Sequence, residues 1–264
     1  MMKITSPSNP RIKKIVKLKT RKARDLSGLS IIDGIREVTR ALEAKASIEE
    51  IFMSPEVLMR QAGQAAVDNI LSWGIPVTEV SKEVLSKISF GDRLEGVVAI
   101  CKPKTNKISQ LRIKENPFLV ILENVEKPGN LGAILRTCDG AGVDALILCE
   151  SKIDIFNPNT IRSSIGAVFS VPVYQATNQQ ALNFCKENNI TILSACPQGQ
   201  QTYYTADLKG SLAIVLGRED TGLSEFWSKA SDIKASIPMR GKADSLNVSN
   251  AAAILIYEAL RQRR

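Results

Sequence analysis

The sequence holds no histidine. That removes the commonest general base and the commonest metal ligand together. Any chemistry must rest on Arg, Lys, Asp, Glu, Ser or Asn. Cysteine is sparse and widely spread, at Cys101, Cys138, Cys149, Cys185 and Cys196, with no Cys-x-x-Cys pair. The odd count and the spacing suggest neither a zinc site nor a disulfide framework, so buried reduced thiols are expected. Long uncharged runs are missing too. The run from Ala251 to Tyr257 falls far short of the roughly 20 residues a membrane helix needs. No apolar run with a small-residue cleavage site follows the basic N-terminus, so no secretory signal is expected. A cytoplasmic protein with no membrane partner is the expectation.

The length of 264 residues suits one large or two modest domains, and an apolar fraction of 44% supports ordinary buried cores. The net charge is +8, and its placement matters more than its size. Residues 1–24 carry nine bases and no acid, whereas the other 240 carry 26 bases against 27 acids. A patch of this kind neutralises phosphates and releases counterions. It reads as a polyanion-binding helix or as a solvated, frayed terminus. The helix reading rests on Ser6-Pro7-Ser8-Asn9-Pro10, which offers N-caps and a first-turn proline, and on Ile12, Ile15 and Val16 recurring among the lysines. A basic amphipathic helix of about four turns is expected.

Residues 29–101 alternate short apolar runs with helical patterns. Strands are predicted over 29–32, 51–53, 77–80 and 96–101, with helices over 34–46, 57–73 and 82–88. Together they form an α/β unit closing a first domain over 1–104. Residues 105–116 are polar, basic and aperiodic, and read as a linker. From Pro117 to residue 264 the strands look buried: 118–122, 145–149, 190–193 and 212–216 are near-continuous apolar runs. Helical segments lie at 131–141, 178–187 and 245–261. This pattern predicts a doubly wound parallel α/β domain.

In such sheets ligands bind beyond the carboxyl ends of the strands, and three post-strand segments stand out. In Glu123–Thr137 a Pro-Gly turn leads into a helix near Asn130, with Arg136 less than two turns on. The ordinary alternative is a capping Asn and a solvent Arg. In Val215–Ser224 a strand ends at Leu216 and a turn containing Gly217 and Gly222 exposes backbone amides that suit a polar ligand. It matches neither Gly-x-Gly-x-x-Gly nor a P-loop, and a plain strand–helix turn with acidic residues is the alternative. In Ile237–Asn250 a strand ending near Pro238 runs through a Gly-containing loop into Ser245, Asn247, Ser249 and Asn250. Four such residues in six exceed what capping needs.

Taken together, Asn130-Leu131-Gly132-Ala133-Ile134 with Arg136-Thr137, then Gly217, Glu219 and Gly222-Leu223-Ser224, then Ile237-Pro238-Met239 with Ser245-Leu246-Asn247-Val248-Ser249, resemble the motifs of the SpoU (TrmH-type) family of RNA ribose methyltransferases in the SPOUT superfamily. Ile32–Val38 and Gly96–Ala99 look like the first and last parts of the L30e-like substrate-binding domain often fused to that family. The resemblance implies a C-terminal parallel sheet with a deep trefoil knot, a homodimer, and S-adenosylmethionine as methyl donor. It implies that Leu216, Gly217, Glu219, Ile237, Pro238, Met239 and Leu246 hold the donor, and that Ser194 and Ala195 border its adenine. Arg136 matches the catalytic arginine, with Asn130, Glu219, Ser245 and Asn247 grouped around it. From the charge pattern, the RNA-binding residues expected on the front domain are Arg11, Lys13, Lys14, Lys17, Arg21, Lys22 and Arg36. Asp220, Asn250 and Asp33 depart from the family's usual Gly, small apolar residue and Glu.

A ribose hydroxyl is a weak nucleophile until it loses its proton. Arg136 stays protonated, so it fits an electrostatic stabiliser of the developing alkoxide better than a base, and no metal is required. The expected reaction is 2′-O-methyl transfer to RNA, with ribosomal RNA expected over transfer RNA because of the separate front domain. Two other readings are a non-catalytic RNA-binding or ribosome-assembly protein on the same fold, and a dinucleotide oxidoreductase. The retained polar groups speak against the first, and the missing Gly-x-Gly-x-x-Gly speaks against the second.

Overall fold

A computed structural model describes residues 2–91, 94–197, 199–218 and 220–263. In chain order the elements are β1 (Met2–Ile4), α1 (Pro10–Lys17), α2 (Arg21–Ser27), β2 (Ser30–Asp33), α3 (Ile35–Glu43), β3 (Ile48–Met53), α4 (Pro55–Ala62), α5 (Gln64–Ser72), β4 (Val77–Val80), α6 (Lys82–Ile88) and β5 (Val97–Cys101). They continue with β6 (Asn106–Lys107), β7 (Phe118–Glu123), α7 (Pro128–Ala141), β8 (Ala145–Cys149), α8 (Pro158–Ser163), α9 (Ala167–Ser170), β9 (Val173–Ala176), α10 (Asn178–Glu187) and β10 (Thr191–Ala195). The last are β11 (Gln201–Thr202), β12 (Leu212–Leu216), α11 (Glu225–Ala230), β13 (Ile233–Ser236) and α12 (Val248–Gln262). They form two units, Met1–Lys104 with Asp154–Ser170, and Thr105–Ile153 with Val171–Arg264.

The first unit holds a mixed sheet in the order β1-β4-β3-β5-β2. Strands β1, β4 and β3 run parallel, and β5 is antiparallel to β3 and β2. The basic segment is not a frayed terminus. It begins with an edge strand and continues as a helix whose Ile12 and Ile15 are buried, followed by buried Leu18. Asn9 caps α1 by accepting from the Arg11 amide at 2.8 Å. The expected single helix is instead two, α1 and α2. The break comes at Thr20, whose hydroxyl donates back to the Lys17 carbonyl at 2.9 Å and accepts from the Ala23 amide. This competition for the backbone is why Thr favours helix ends over helix interiors. The expected helix over 57–73 also divides, into α4 and α5, at Gly63. Gly63 has φ +77°, a backbone state that side chains disfavour.

Residues 154–170, read from the sequence as part of the C-terminal domain, cluster with the front unit. Arg24 explains this. It is buried, so its charge needs a partner, and it binds Asp154 at 2.7 Å while donating to the Leu18 carbonyl. The Ser30 hydroxyl donates to the Phe156 carbonyl at 2.6 Å, and Arg40 to the Ile165 carbonyl at 3.1 Å. Asp33 accepts from the amides of Phe90 (2.7 Å) and Gly91 (3.3 Å), so it ties β2 to the turn after α6. Burial pushes its carboxyl above the usual aspartate range.

The second unit is built on a sheet in the order β11-β13-β10-β12-β7-β8-β9-β6, with every neighbouring pair parallel. Strands β7, β8 and β12 are buried along their whole length, as continuous apolar runs in a covered parallel sheet should be. Residues 105–116 are not a bare linker. They supply edge strand β6, and Ile108 and Leu111 are buried in the core with Leu119, Ile147 and Trp227. From β7 the chain proceeds outward through β8 and β9, whereas β12, β10 and β13 lie on its other side. The direction of progression therefore reverses between β7 and β12, the place where open α/β sheets bind ligands.

The thiols are packing groups. Cys101, Cys138, Cys149 and Cys185 are buried and free. Burial pushes Cys101, Cys138 and Cys185 up to about 12 and Cys149 up as well. Such thiols stay protonated and unreactive at neutral pH. No helix among the described residues is long and apolar enough to cross a membrane.

Candidate active site

At the reversal point β7 ends on Glu123, which is buried. Its carboxylate accepts from the Ser224 amide (2.8 Å), the Ser224 hydroxyl (2.7 Å) and the Asn178 amide group (2.6 Å). Asn178 in turn accepts from the Trp227 indole at 2.9 Å. These bonds fasten the end of the loop after β12 to the end of β7. In the sequence Glu123 shows only as a charged residue closing an otherwise apolar strand. Glu123→Ala leaves these donors buried without an acceptor, which costs roughly 1–3 kcal/mol each in the limit. We expect a loss of about 3 kcal/mol in this unit and a smaller one for Glu123→Gln. Hydrogen exchange of the β7 and β12 amides measures both, and unchanged exchange in the Ala variant would show the network to be incidental.

The loop after β12 closes on itself. Arg218 and Gly222 exchange two backbone hydrogen bonds of 3.1 Å. Gly217 is wedged beneath that closure: a Cβ on it would stand 2.2 Å from the Gly222 carbonyl oxygen and 2.5 Å from the Leu223 nitrogen. Asp220 points to solvent and receives a two-pronged bond from Arg218, at 3.0 and 3.1 Å. Arg218 also reaches Glu126 of the loop after β7, at 3.2 Å. The departure at Asp220 is thus an exposed ion pair that staples the loop. Glu219 lies outside the described residues.

The third segment leaves β13 at Ser236 and reaches α12 at Val248. Among the described residues, the backbone from Ile237 to Leu246 makes no backbone–backbone hydrogen bond. Pro238 and Met239 are exposed there, and Ile237 and Leu246 half-buried. Asn247 caps α12, its Oδ1 accepting from the Ser249 amide (2.9 Å) and hydroxyl (2.6 Å). Its Nδ2 donates to Oδ1 of Asn130 in the first turn of α7, at 3.3 Å. Two residues 117 positions apart are thereby joined. Ser194 and Ala195 end β10, between β12 and β13. Ser194 is buried, with its hydroxyl directed at the Ile233 carbonyl.

The structure therefore brings Asn130 to Asn247, and sets Ser194, Ala195, Leu216, Gly217 and Ile237 at the carboxyl ends of adjacent strands. Arg136 and Ser245 are exposed. Neither is hydrogen-bonded to this group among the described residues, and Ser245 bonds its neighbour Asp244. Residues that need a polar, partly apolar molecule are those with open backbone donors and acceptors beside exposed apolar side chains. Residues 237–246 have that character. An adenosine carrying a methionine chain, with edges to hydrogen-bond and apolar parts to cover, fits this donor set better than a phosphate, for which no Gly-Lys-Ser cradle exists.

Of the seven basic residues expected on the front domain, Lys13, Lys14, Lys17, Lys22 and Arg36 are exposed. Arg21 pairs loosely with Asp25 at 3.5 Å, and Arg11 binds Glu50 at 2.6 Å. Arg24, in the same basic run, is structural.

Fold and site define an α/β protein with a parallel sheet whose strand order reverses between β7 and β12, where three loops meet. Residues 117–257 match the model of the SpoU rRNA methylase family, and residues 9–99 match that of the MRM3-like substrate-binding domain. The chain belongs to the SpoU rRNA methylase family. It is 28% identical over 257 residues, 97% of this chain and 98% of the relative, to the Bacillus subtilis 23S rRNA (guanosine(2553)-2′-O)-methyltransferase RlmP. Its fold matches a crystal structure of an RNA 2′-O ribose methyltransferase at TM-score 0.87 and 36% identity, covering 99% of both chains. An AdoMet-bound rRNA methyltransferase from Sinorhizobium meliloti matches at TM-score 0.85 and 29% identity, covering 98% of this chain and 97% of that one.

Proposed function

We propose that this protein methylates a ribose 2′-hydroxyl of ribosomal RNA with S-adenosylmethionine as donor. The observation that carries the reading is the Asn247–Asn130 bond at the reversal point of the parallel sheet, inside the segment that matches the methylase family. Leu216, Gly217, Ile237, Pro238, Met239 and Leu246 hold the donor, with Ser194 and Ala195 against its adenine, and the chain from β12 to α12 is tied in a trefoil knot. When bound, the donor supplies an electrophilic methyl carbon.

The remaining work falls to the chain's own side chains. Arg136 places a permanent positive charge near the oxygen that becomes anionic. Asn130 and Asn247, locked together, orient the ribose, and Ser245 and Glu219 act with them in catalysis. Holding the hydroxyl in a fixed attack direction accounts for much of the rate. The proton leaves to water or to an RNA phosphate, since no histidine exists to take it. A second copy of the chain packs on α12, where Tyr257 is exposed and Ile254 half-exposed, and the protein works in the cytoplasm as this dimer.

The front unit is an L30e-like RNA-binding domain that holds substrate through Lys13, Lys14, Lys17 and Lys22, with Arg11, Arg21 and Arg36 beside them. Truncation cannot test this, because residues 2–18 belong to that unit's sheet and core. Replacing Lys13, Lys14 and Lys17 with Ala should instead flatten the dependence of log affinity on log salt by about 2, at roughly 0.7–0.9 per lost phosphate contact. An unchanged slope would mean that α1 touches no phosphate. The reaction itself is tested with radiolabelled donor and ribosomal RNA from cells lacking the protein, mapping alkali-resistant linkages. One labelled, alkali-resistant linkage establishes 2′-O transfer. Label on transfer RNA alone would move the substrate class.

A further inference from the structure

In the front unit, well apart in sequence from the methylase motifs, a cavity of about 590 Å³ opens beside α1 and α2. This is within the range of roughly 300–1,000 Å³ typical of small-ligand sites. Its floor and walls are apolar, formed by Leu18, Leu26, Leu29, Phe52 and Ile100. The helix break at Thr20 produces it. A continuous helix would carry its apolar face on across the sheet. Instead α2 turns away, anchored by the buried Arg24–Asp154 pair, and Leu26 is left 79% exposed at the rim. Leu26 thereby extends the cavity's apolar lining to the protein surface.

The rim says which occupant. Arg11, Lys14 and Lys17 border the cavity within a run of 24 residues that contains no acid. The Arg11 guanidinium lies 5.9 Å from the centre of the Phe52 ring and is held by Glu50 at 2.6 Å. Glu50 is further engaged by the Thr78 hydroxyl at 2.5 Å. Glu50 is thus shared between Arg11 and Thr78, and the pair fixes the plane of the Arg11 guanidinium over Phe52 at the cavity's edge. Glu49 also lines the cavity and is exposed. A carboxylate there keeps phosphate on the lysine side and offers an acceptor to a base edge bearing N–H donors.

We propose that this cavity takes one splayed-out base of single-stranded RNA, with its flanking phosphates on Lys14 and Lys17. The proposal deepens the RNA-binding reading of the front unit and rests on it. Sequence-tolerant RNA binding combines cations along the backbone with surfaces that receive unpaired bases, and both are present here within one cavity.

The test uses the full-length protein and a single-stranded RNA of roughly eight nucleotides, intact or with an abasic residue at its centre, followed by fluorescence anisotropy. With one stacked base removed, the abasic strand should bind about tenfold more weakly. Leu26→Ser, at an exposed position that the fold does not need, should weaken the intact strand about tenfold and the abasic strand not at all, and Leu26→Met should restore the intact strand. Equal binding of intact and abasic strands by the unaltered protein overturns the base pocket and leaves the phosphate contacts standing. Equal loss on both strands in Leu26→Ser overturns it likewise. So does an unchanged affinity for both strands, including when that variant loses a cross-link to a ribosomal protein, which would assign the cavity to protein. No binding of either strand, with no salt-sensitive binding to ribosomal RNA, removes the RNA-binding reading itself.

Discussion

Arg136→Ala is expected to lower the methylation rate by about 10²–10³ while donor affinity stays within about twofold, the usual range for an exposed position. The argument begins with what is absent. Without histidine, the site has no neutral base near pH 7, and the buried thiols are held protonated. Charge placed where the alkoxide forms then adds to positioning in lowering the barrier. Arg136 is exposed on α7, and no hydrogen bond or ion pair inside the chain occupies it among the described residues. Its loss should spare the fold. Arg136→Lys keeps the charge but not the planar fork, so it should recover only part of the rate. Single-turnover methylation and equilibrium donor binding, measured on the same preparations, separate the two roles. A parallel loss of donor affinity would place Arg136 in the donor site instead.

Gly217→Ala should act the other way, reducing donor affinity by about 10–100-fold, equivalent to roughly 1.4–2.8 kcal/mol. The added Cβ meets backbone, 2.2 Å from the Gly222 oxygen, and backbone cannot swing aside as a side chain can. The loop must open, breaking the paired Arg218–Gly222 bonds, or the strand must shift; forced packing of this kind typically costs 1–3 kcal/mol. The front unit contains none of these residues, so binding of short RNA should be unchanged. Donor affinity within about twofold of the parent, in a folded variant, would remove this loop from the donor site. Comparing the two substitutions also tests the division of labour. One should affect the chemical step at constant binding, and the other binding first.

Local pattern carried much of this fold because the strands of the second unit are buried on both faces. Such strands read as uninterrupted apolar runs, and 145–149 and 212–216 match β8 and β12 residue for residue. The start of α1 followed from the capping segment before it, in which Asn9 is the cap. Boundaries failed where a residue had two uses. Thr20 suits a helix by period and a cap by chemistry, and the cap won. Ile108 and Leu111 sit among lysines and polar residues, so their segment looked like a linker, yet both are core. Edge strands β6 and β11, two residues each, are too short to show a period of their own.

By itself the sequence determined the chemical limits, namely no histidine, one basic segment and three loops rich in Gly, Asn and Ser after apolar strands. These are properties of residue type and spacing, and they survive any arrangement in space. Only the tertiary structure decided which distant residues meet. It joined Asn130 to Asn247, gave the buried charge of Glu123 to Ser224 and Asn178, and assigned residues 154–170 to the front unit through Arg24. It also turned α2 aside to leave a cavity. The physical reason is common to these cases. A buried charge or polar group must find a partner, and nothing in local sequence says which of many distant groups will be within hydrogen-bonding reach.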